Sequence, residues 1–279
     1  MKAAFQGKRG AFSEIMANKF YNDAICLPCK TFKDVFDKVN NDATEAGVIP
    51  IENTLTGRIS ESTDLLLTYD LKICREGMLP IIHCLIANQK ILIGDLERVY
   101  AHPEALYQCK KFLRKLNCEL ISWNDGAGAA SIVKNKNKTG LIASEKVADI
   151  YQLKVLKKGV QDSKTDITRF VVISKQNTVS TGSDKTSLIF SLKHRSGKLY
   201  HALKSFADEN INLTRLESMP SKNMPWEYQF LVDFEGHIDD QKVEHVLQEL
   251  KKHSTSMKIL GSYPCDKSFC RKINRDEEI

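Results

Sequence analysis

The sequence predicts an α/β protein: a two-lobed domain whose lobes enclose a cleft, then a smaller ferredoxin-like α+β domain. Three observations carry this. Strands alternate with helices from Met1 to about residue 151, as in helix-covered, mostly parallel sheets. The last third runs strand–helix–strand, strand–helix–strand, the order of the ferredoxin-like split unit. A polar stretch at 176–184, rich in Ser, Thr and Gly, reads as the linker between them. The 279 residues suit two domains, and 42% hydrophobic with 27% charged content is enough for sizeable cores.

Residues 2–6 read as a first strand, followed by the turn Gly7-Lys8-Arg9-Gly10 and a helix through Ile15, Met16 and Phe20 with Ser13 near its cap. A helix opening of this kind presents free backbone N–H groups that favour an anion. The glycine spacing is not that of a dinucleotide fingerprint. Residues 24–27 form a second strand, and Phe32, Val35, Phe36 and Val39 recur at helical spacing. A third strand, 46–50, ends in the polar loop Ile51-Glu52-Asn53-Thr54, where open α/β sheets place ligands. Leu65, Leu66 and Tyr69 begin the next helix face.

Residues 71–78 and 81–87 read as two strands crossing into a second lobe, about residues 79–153. Residues 99–101 form a strand. Pro103 then starts a helix carrying Leu106, Cys109, Leu113 and Leu116 on one face. Strands follow at 120–122 and 141–143, with helices at 127–133 and from Ser144 to Tyr151. The chain then returns to the first lobe. The expected boundaries are 1–177 for the two-lobed domain, 186–264 for the α+β domain and 265–279 for a charged tail.

The return strand carries the stretch the chain is organised around, Asp166-Ile167-Thr168-Arg169-Phe170. It puts a hydroxyl beside a guanidinium at a strand mouth: a neutral donor next to a fixed cation able to grip a carboxylate in a bidentate way.

The formal net charge of +6 is mild, and the basic residues are scattered among acids, which argues against a nucleic-acid footprint. No stretch approaches the ~20 apolar residues of a membrane span. The first strand begins almost at Met1, leaving no room for a signal peptide, so a cytoplasmic protein is expected. Eight cysteines, Cys26, Cys29, Cys74, Cys84, Cys109, Cys118, Cys265 and Cys270, sit mostly in apolar segments and read as reduced and structural. Cys26 and Cys29 have redox or metal-ligand spacing but lack a convincing second pair.

Taken together the motifs resemble one family. They are Gly7 to Ser13; Pro50-Ile51-Glu52-Asn53 with Gly57; His102-Pro103-Glu104-Ala105-Leu106-Tyr107-Gln108; and Thr168-Arg169-Phe170. In the last third they are Gly197-Lys198-Leu199, Asn212-Leu213-Thr214 and Glu217-Ser218-Met219-Pro220. The chain resembles a monofunctional prephenate dehydratase, including plant-type arogenate dehydratases, with a C-terminal ACT domain. The resemblance implies two lobes of the periplasmic-binding-protein kind. It implies loss of water and carbon dioxide from prephenate to give phenylpyruvate, feedback by L-phenylalanine, and a homo-oligomer, dimer or tetramer, joined through both domains. It implies no metal and no cofactor.

That chemistry asks for a donor at the departing ring hydroxyl, a cation at the surviving carboxylate, and a drier, looser hold on the ring carboxylate. The resemblance makes Thr168 the first candidate, with Glu52, Asn53 and Gln108 as further catalytic candidates. Glu52 is either a protonated acid or an orienter of Asn53. Arg169, Phe170, Ser13, Thr54 and His102 are the substrate-binding candidates, Arg169 as clamp or as salt bridge, His102 as acid or as backbone cap. Gly197, Leu199, Asn212, Leu213, Glu217 and Ser218 would hold phenylalanine. Departures from the family pattern are Ala101 for Ser, Glu104 for Gln, Asp166 for Asn, Lys198 for Ala and Met219 for Arg. They bear on prephenate against arogenate and on feedback. A two-lobed amino-acid sensor without turnover is the rival of another class.

Overall fold

The computed structural model describes residues 1–220 and 228–266. The chain divides into two compact units: residues 1–65 with 77–170, and residues 66–76 with the chain from 171 onward.

The first unit opens with β1 (Lys2–Gln6), α1 (Phe12–Phe20), β2 (Ile25–Cys29), α2 (Phe32–Asn40), β3 (Ala46–Asn53) and β4 (Gly57–Arg58). β1 pairs in parallel with β2 and β3, as expected where helices connect the strands. β3 is buried almost throughout, the mark of a strand covered on both faces. α2 begins at a capping box between Thr31 and Asp34 and buries Val35, Phe36 and Val39. The chain continues through α3 (Ser60–Thr68) and β5 (Lys72–Pro80), which the division between the units cuts.

The second lobe of this unit holds β6 (Cys84–Ala87), β7 (Arg98–Ala101), α4 (Pro103–Gln108), α5 (Lys110–Leu113), β8 (Glu119–Ser122), α6 (Ala130–Asn135), β9 (Thr139–Ala143), α7 (Glu145–Tyr151) and β10 (Lys154–Lys158). Its sheet has the order β10-β6-β9-β7-β8. One core cluster, including Tyr100, Val133, Leu141 and Val147, and another, including Leu85, Val99, Cys109 and Leu113, fill it. β11 (Ile167–Ser174) then joins the first sheet, order β2-β1-β3-β11-β5 with β4 on β3.

Five expectations change. The polar loop expected from Ile51 is strand through Asn53, where β3 pairs with β4. Ser13 does not cap α1: the N-cap is Ala11, and the Glu14 carboxylate accepts from the Gly10 amide at 2.6 Å instead. The helix expected from Pro103 to Leu116 breaks at Cys109, because the Gln108 carbonyl accepts from the Asp162 amide at 2.7 Å and the Asp162 carboxylate caps the Lys111 amide. The strand expected at 81–87 starts at Cys84, because the Ile81 amide donates to the Asp166 carbonyl and the His83 amide to the Gln161 side chain. β10 was not expected at all. Its Lys-rich sequence pairs antiparallel with β6 across a bulge between Val155 and Lys157.

The second unit contains β12 (Asp184–Leu192), α8 (Lys198–Asp208), β13 (Leu213–Pro220), β14 (Tyr228–Glu235), α9 (Gln241–His253) and β15 (Ser254–Pro264). The sheet order β13-β14-β12-β15, antiparallel at each pairing, is the ferredoxin-like arrangement. Leu188, Phe190, Phe206, Phe234, Val246 and Leu250 lie in its core. The expected tail lies outside the described residues from 267 on. No helix among the described residues is long and apolar enough to cross a membrane.

Candidate active site

Both lobes of the first unit line one cavity of about 500 Å³. The first lobe contributes the turn from Gly7 to Ser13, Asn53 and Thr56, and Thr168 and Phe170 of β11. The second contributes His83, His102, Gln108, residues 124–127 and Ser144. The lobes touch at its edge, where Ser144 Oγ donates to the Gly10 carbonyl at 2.5 Å. Gly10 has φ +91°, and a Cβ there would lie 2.7 Å from a Val147 methyl, so the turn needs a glycine to reach α7.

Thr168 is 7% exposed and Asn53 6%. Asn53 Oδ1 accepts from the Leu55 and Thr56 amides at 2.8 and 3.2 Å, which fixes the amide's orientation. Asn53 Nδ2 therefore donates in the other direction, to Asp166 Oδ1 at 2.7 Å and Thr168 Oγ1 at 3.0 Å. With a lone pair so occupied, the Thr168 hydroxyl keeps its own hydrogen for the cavity.

Asp166 stands two residues before Thr168, on the same side of the strand. It is 2% exposed, and Oδ2 has no hydrogen-bond partner. Burial pushes its carboxyl up, against the Asn53 hydrogen bond and the His83 charge. Opposite, Gln108 Nε2 donates to Glu104 at 3.2 Å, which turns Gln108 Oε1 toward His83 Nε2 at 2.8 Å. That assigns the His83 proton to Nε2 and leaves Nδ1 as an acceptor, buried and without a partner. Phe12 packs edge-on against this ring, centroids 5.4 Å apart. Burial pushes the His83 imidazole down, against the Gln108 hydrogen bond and the Asp166 charge.

The structure brings Thr168, Asn53, Gln108, Ser13, His102 and Phe170 to the cavity. Three other candidates lie off its lining. Strand alternation turns Arg169 away from Thr168 and Phe170. It is 6% exposed and meets Glu52 at 3.4 Å, so the salt-bridge alternative describes its geometry and the clamp does not. Glu52 pairs with it and is likewise absent from the cavity lining. Thr54 staples its loop to the next strand, donating to the Thr165 carbonyl and accepting from the Ile167 amide. His102 caps α4 through Nδ1, which accepts from the Glu104 amide, and burial holds its imidazole low.

Neither His83 nor Asp166 was among the candidates read from the sequence, where Asp166 figured only as the start of the 166–170 stretch and as a departure from the family pattern. His83 sits inside an apolar run, and Asp166 reads there as a loop residue. Among the described residues no lysine or arginine lines the cavity, whereas Glu61, Glu104 and Asp125 do. Of the effector candidates, Gly197 (φ 76°) precedes α8, Asn212 Nδ2 donates to Glu235 at 3.4 Å, and Glu217 pairs with the buried Arg215 at 3.2 Å. Leu199 and Leu213 pack against the core, and Ser218 is exposed on β13.

A family model described as prephenate dehydratase matches residues 3–178. The chain belongs to the prephenate dehydratase family. It is 39% identical to arogenate dehydratase/prephenate dehydratase 2, chloroplastic, of Arabidopsis thaliana, over 95% of this chain and 73% of that protein. Two solved structures are similar along nearly the whole chain. The prephenate dehydratase of Arthrobacter aurescens in complex with L-Phe is 28% identical with TM-score 0.86, covering 95% of this chain and 90% of that one. GqqA, described as a novel type of quorum quenching acylase, is 30% identical with TM-score 0.87, covering 96% and 99%.

Proposed function

We propose that the chain is a monofunctional prephenate dehydratase, feedback-regulated by L-phenylalanine. The observation that carries this is the Asn53 amide holding Thr168 Oγ1 by its lone pair, which frees the hydroxyl proton for the cavity. In the reaction the ring C–O bond breaks and its oxygen leaves as water with one proton drawn from solvent, which Thr168 relays by giving its own hydrogen and taking another. The bond to the ring carboxylate breaks as carbon dioxide departs, and its electron pair completes the aromatic ring. Thr168 donates to the departing oxygen, and Asn53 fixes Thr168. Ser13, at the opening of α1, and the backbone N–H groups there receive a carboxylate. Phe170 offers an apolar wall to the ring, where a weakly held carboxylate loses its charge most readily.

The boundaries 1–177, 186–264 and 265–279 follow the same reading, with the ferredoxin-like part as an ACT domain. Phenylalanine bound near Gly197, Leu199, Asn212, Leu213, Glu217 and Ser218 would favour one state of a dimer or tetramer. Catalysis uses no cofactor, and the enzyme works in the cytoplasm.

A second reading, arogenate as preferred substrate, is favoured by the cavity's charge. Three carboxylates and no cationic side chain among its described lining residues suit a substrate that carries an ammonium. An acylase reading, suggested by GqqA, has less support: among the described residues no hydroxyl lining the cavity hydrogen-bonds a histidine, as an activated nucleophile would. Turnover of prephenate and arogenate, measured side by side with and without phenylalanine, tests the proposal. Release of phenylpyruvate, slowed by phenylalanine, is expected. No product from either substrate, with ligand binding intact, would leave a non-catalytic sensor.

A further inference from the structure

Two buried acceptors beside the cavity lack what each needs. Asp166 Oδ2 and His83 Nδ1 have no hydrogen-bond partner, their residues are 2% and 5% exposed, and their charges act on one another. Both lie directly beneath groups that line the cavity: Asp166 through Asn53, which it shares with Thr168, and His83 through its own ring. A buried acceptor left unmatched costs free energy, and two acceptors facing a negative ligand cost more. One proton removes the pair's net negative charge. On Asp166 it neutralises the carboxylate beside Asn53, and on His83 it sets a cation against the carboxylate's charge.

We propose that Asp166 and His83 form one positioning pair that takes up a single proton when an anionic substrate fills the cavity. The inference rests on the dehydratase reading and adds to it where the site's charge is balanced in the absence of a lysine or arginine lining. Gln108, held by Glu104, fixes the other face of His83, so the proton has one nitrogen to occupy, Nδ1. Asn53 is held by the Leu55 and Thr56 amides and does not follow a change at Asp166. The pair therefore alters charge beneath the substrate without moving Thr168. Its effect falls on KM, and kcat is largely spared.

Other groups facing the cavity also carry charge: His102 and Glu104 of the α4 turn, Glu61 of α3 and Asp125 before α6. Single variants separate their effects from the pair's. The experiment measures kcat and KM for prephenate and arogenate between about pH 5 and about pH 8. For wild type, KM rises by up to about tenfold per pH unit once the pair has lost its proton, because binding must restore it. In Asp166→Asn, which keeps the shape without the titration, this rise disappears. In His83→Gln it moves to lower pH, because the pair loses one of the two sites that can hold its proton. Circular dichroism establishes that both variants fold. An Asp166→Asn enzyme with the wild-type KM profile overturns the proposal and leaves the dehydratase reading intact. A wild type that turns over neither substrate overturns that reading. The pair is then tested by carbon-13 NMR of the free protein, with the Asp166 carboxyl assigned by its loss in Asp166→Asn. Titration above the ordinary aspartate range, moved further up by His83→Gln, is expected, and an ordinary, unresponsive titration overturns the pairing.

Discussion

In the second unit the Lys185 ammonium, 6% exposed, meets both oxygens of Glu76 at 2.9 and 3.1 Å. One of those oxygens also accepts from the Asp266 amide. Behind Asn53 of the first unit's cavity the Asp166 carboxyl, 2% exposed, meets one donor with Oδ1 and none with Oδ2. Both sites bury a carboxylate. One is matched in charge and in hydrogen bonds, which suits a fixed strut between residues of β5 and β12. The other is left with capacity to spare, which suits a group whose state changes when a ligand arrives. Ser187 extends the first pattern: its hydroxyl bonds both the Asp233 carboxylate and the Tyr263 hydroxyl at 2.5 Å.

The sharpest way to break this contrast is to unmatch the matched site. Glu76→Gln should cost about 3–5 kcal/mol of stability in urea unfolding, since it strands a buried ammonium. Replacing Glu76 and Lys185 together by Leu and Met should cost far less, and equal losses would refute the comparison. Arg169→Met comes next. It breaks the pair with Glu52 and should lower stability by about 2–4 kcal/mol. In the folded enzyme it should leave kcat within about threefold of wild type, because the guanidinium faces away from Thr168. A fall in kcat of a hundredfold would return Arg169 to the substrate.

How far the site could be read from sequence follows from the same residues. The strand 167–173, the turn at Gly7 to Gly10 and the loop after β3 announce themselves locally, by apolar runs, glycines and polar strand ends. The ferredoxin-like order was readable for the same reason. The sequence reading set Thr168 and Arg169 together at one strand mouth, whereas alternation along β11 turns them to opposite faces and the packed sheet decides which face meets the cavity. His83 was hidden because its neighbours are apolar, and its partners Gln108 and Asp166 are brought to it by the fold. The break at Cys109 was hidden because Asp162, which causes it, lies 51 residues beyond Lys111.

Smaller effects sharpen the comparison further. Burial pushes the Asp184 carboxyl up, but hydrogen bonds from Thr181, Ser180 and Gly182 outweigh it and hold the group below its ordinary value. A depressed carboxyl contributes stability above its unfolded value and loses it as pH falls through the folded one. Asp184→Asn should therefore cost about 1–2 kcal/mol near neutrality and flatten the loss of thermal stability on acidification. At the exposed Lys33–Asp37 pair of α2, Asp37→Asn should change stability by under about 0.5 kcal/mol, within what a surface ion pair contributes.

The central claim, that the Thr168 hydroxyl donates to the departing oxygen while Asn53 holds it, is tested most directly by kcat for Thr168→Val and Thr168→Ser on the preferred substrate. The valine enzyme should be slower by on the order of a hundredfold or more, and the serine enzyme, which keeps the donor, should stay within about tenfold of wild type. A folded valine enzyme as fast as the serine enzyme would contradict the account.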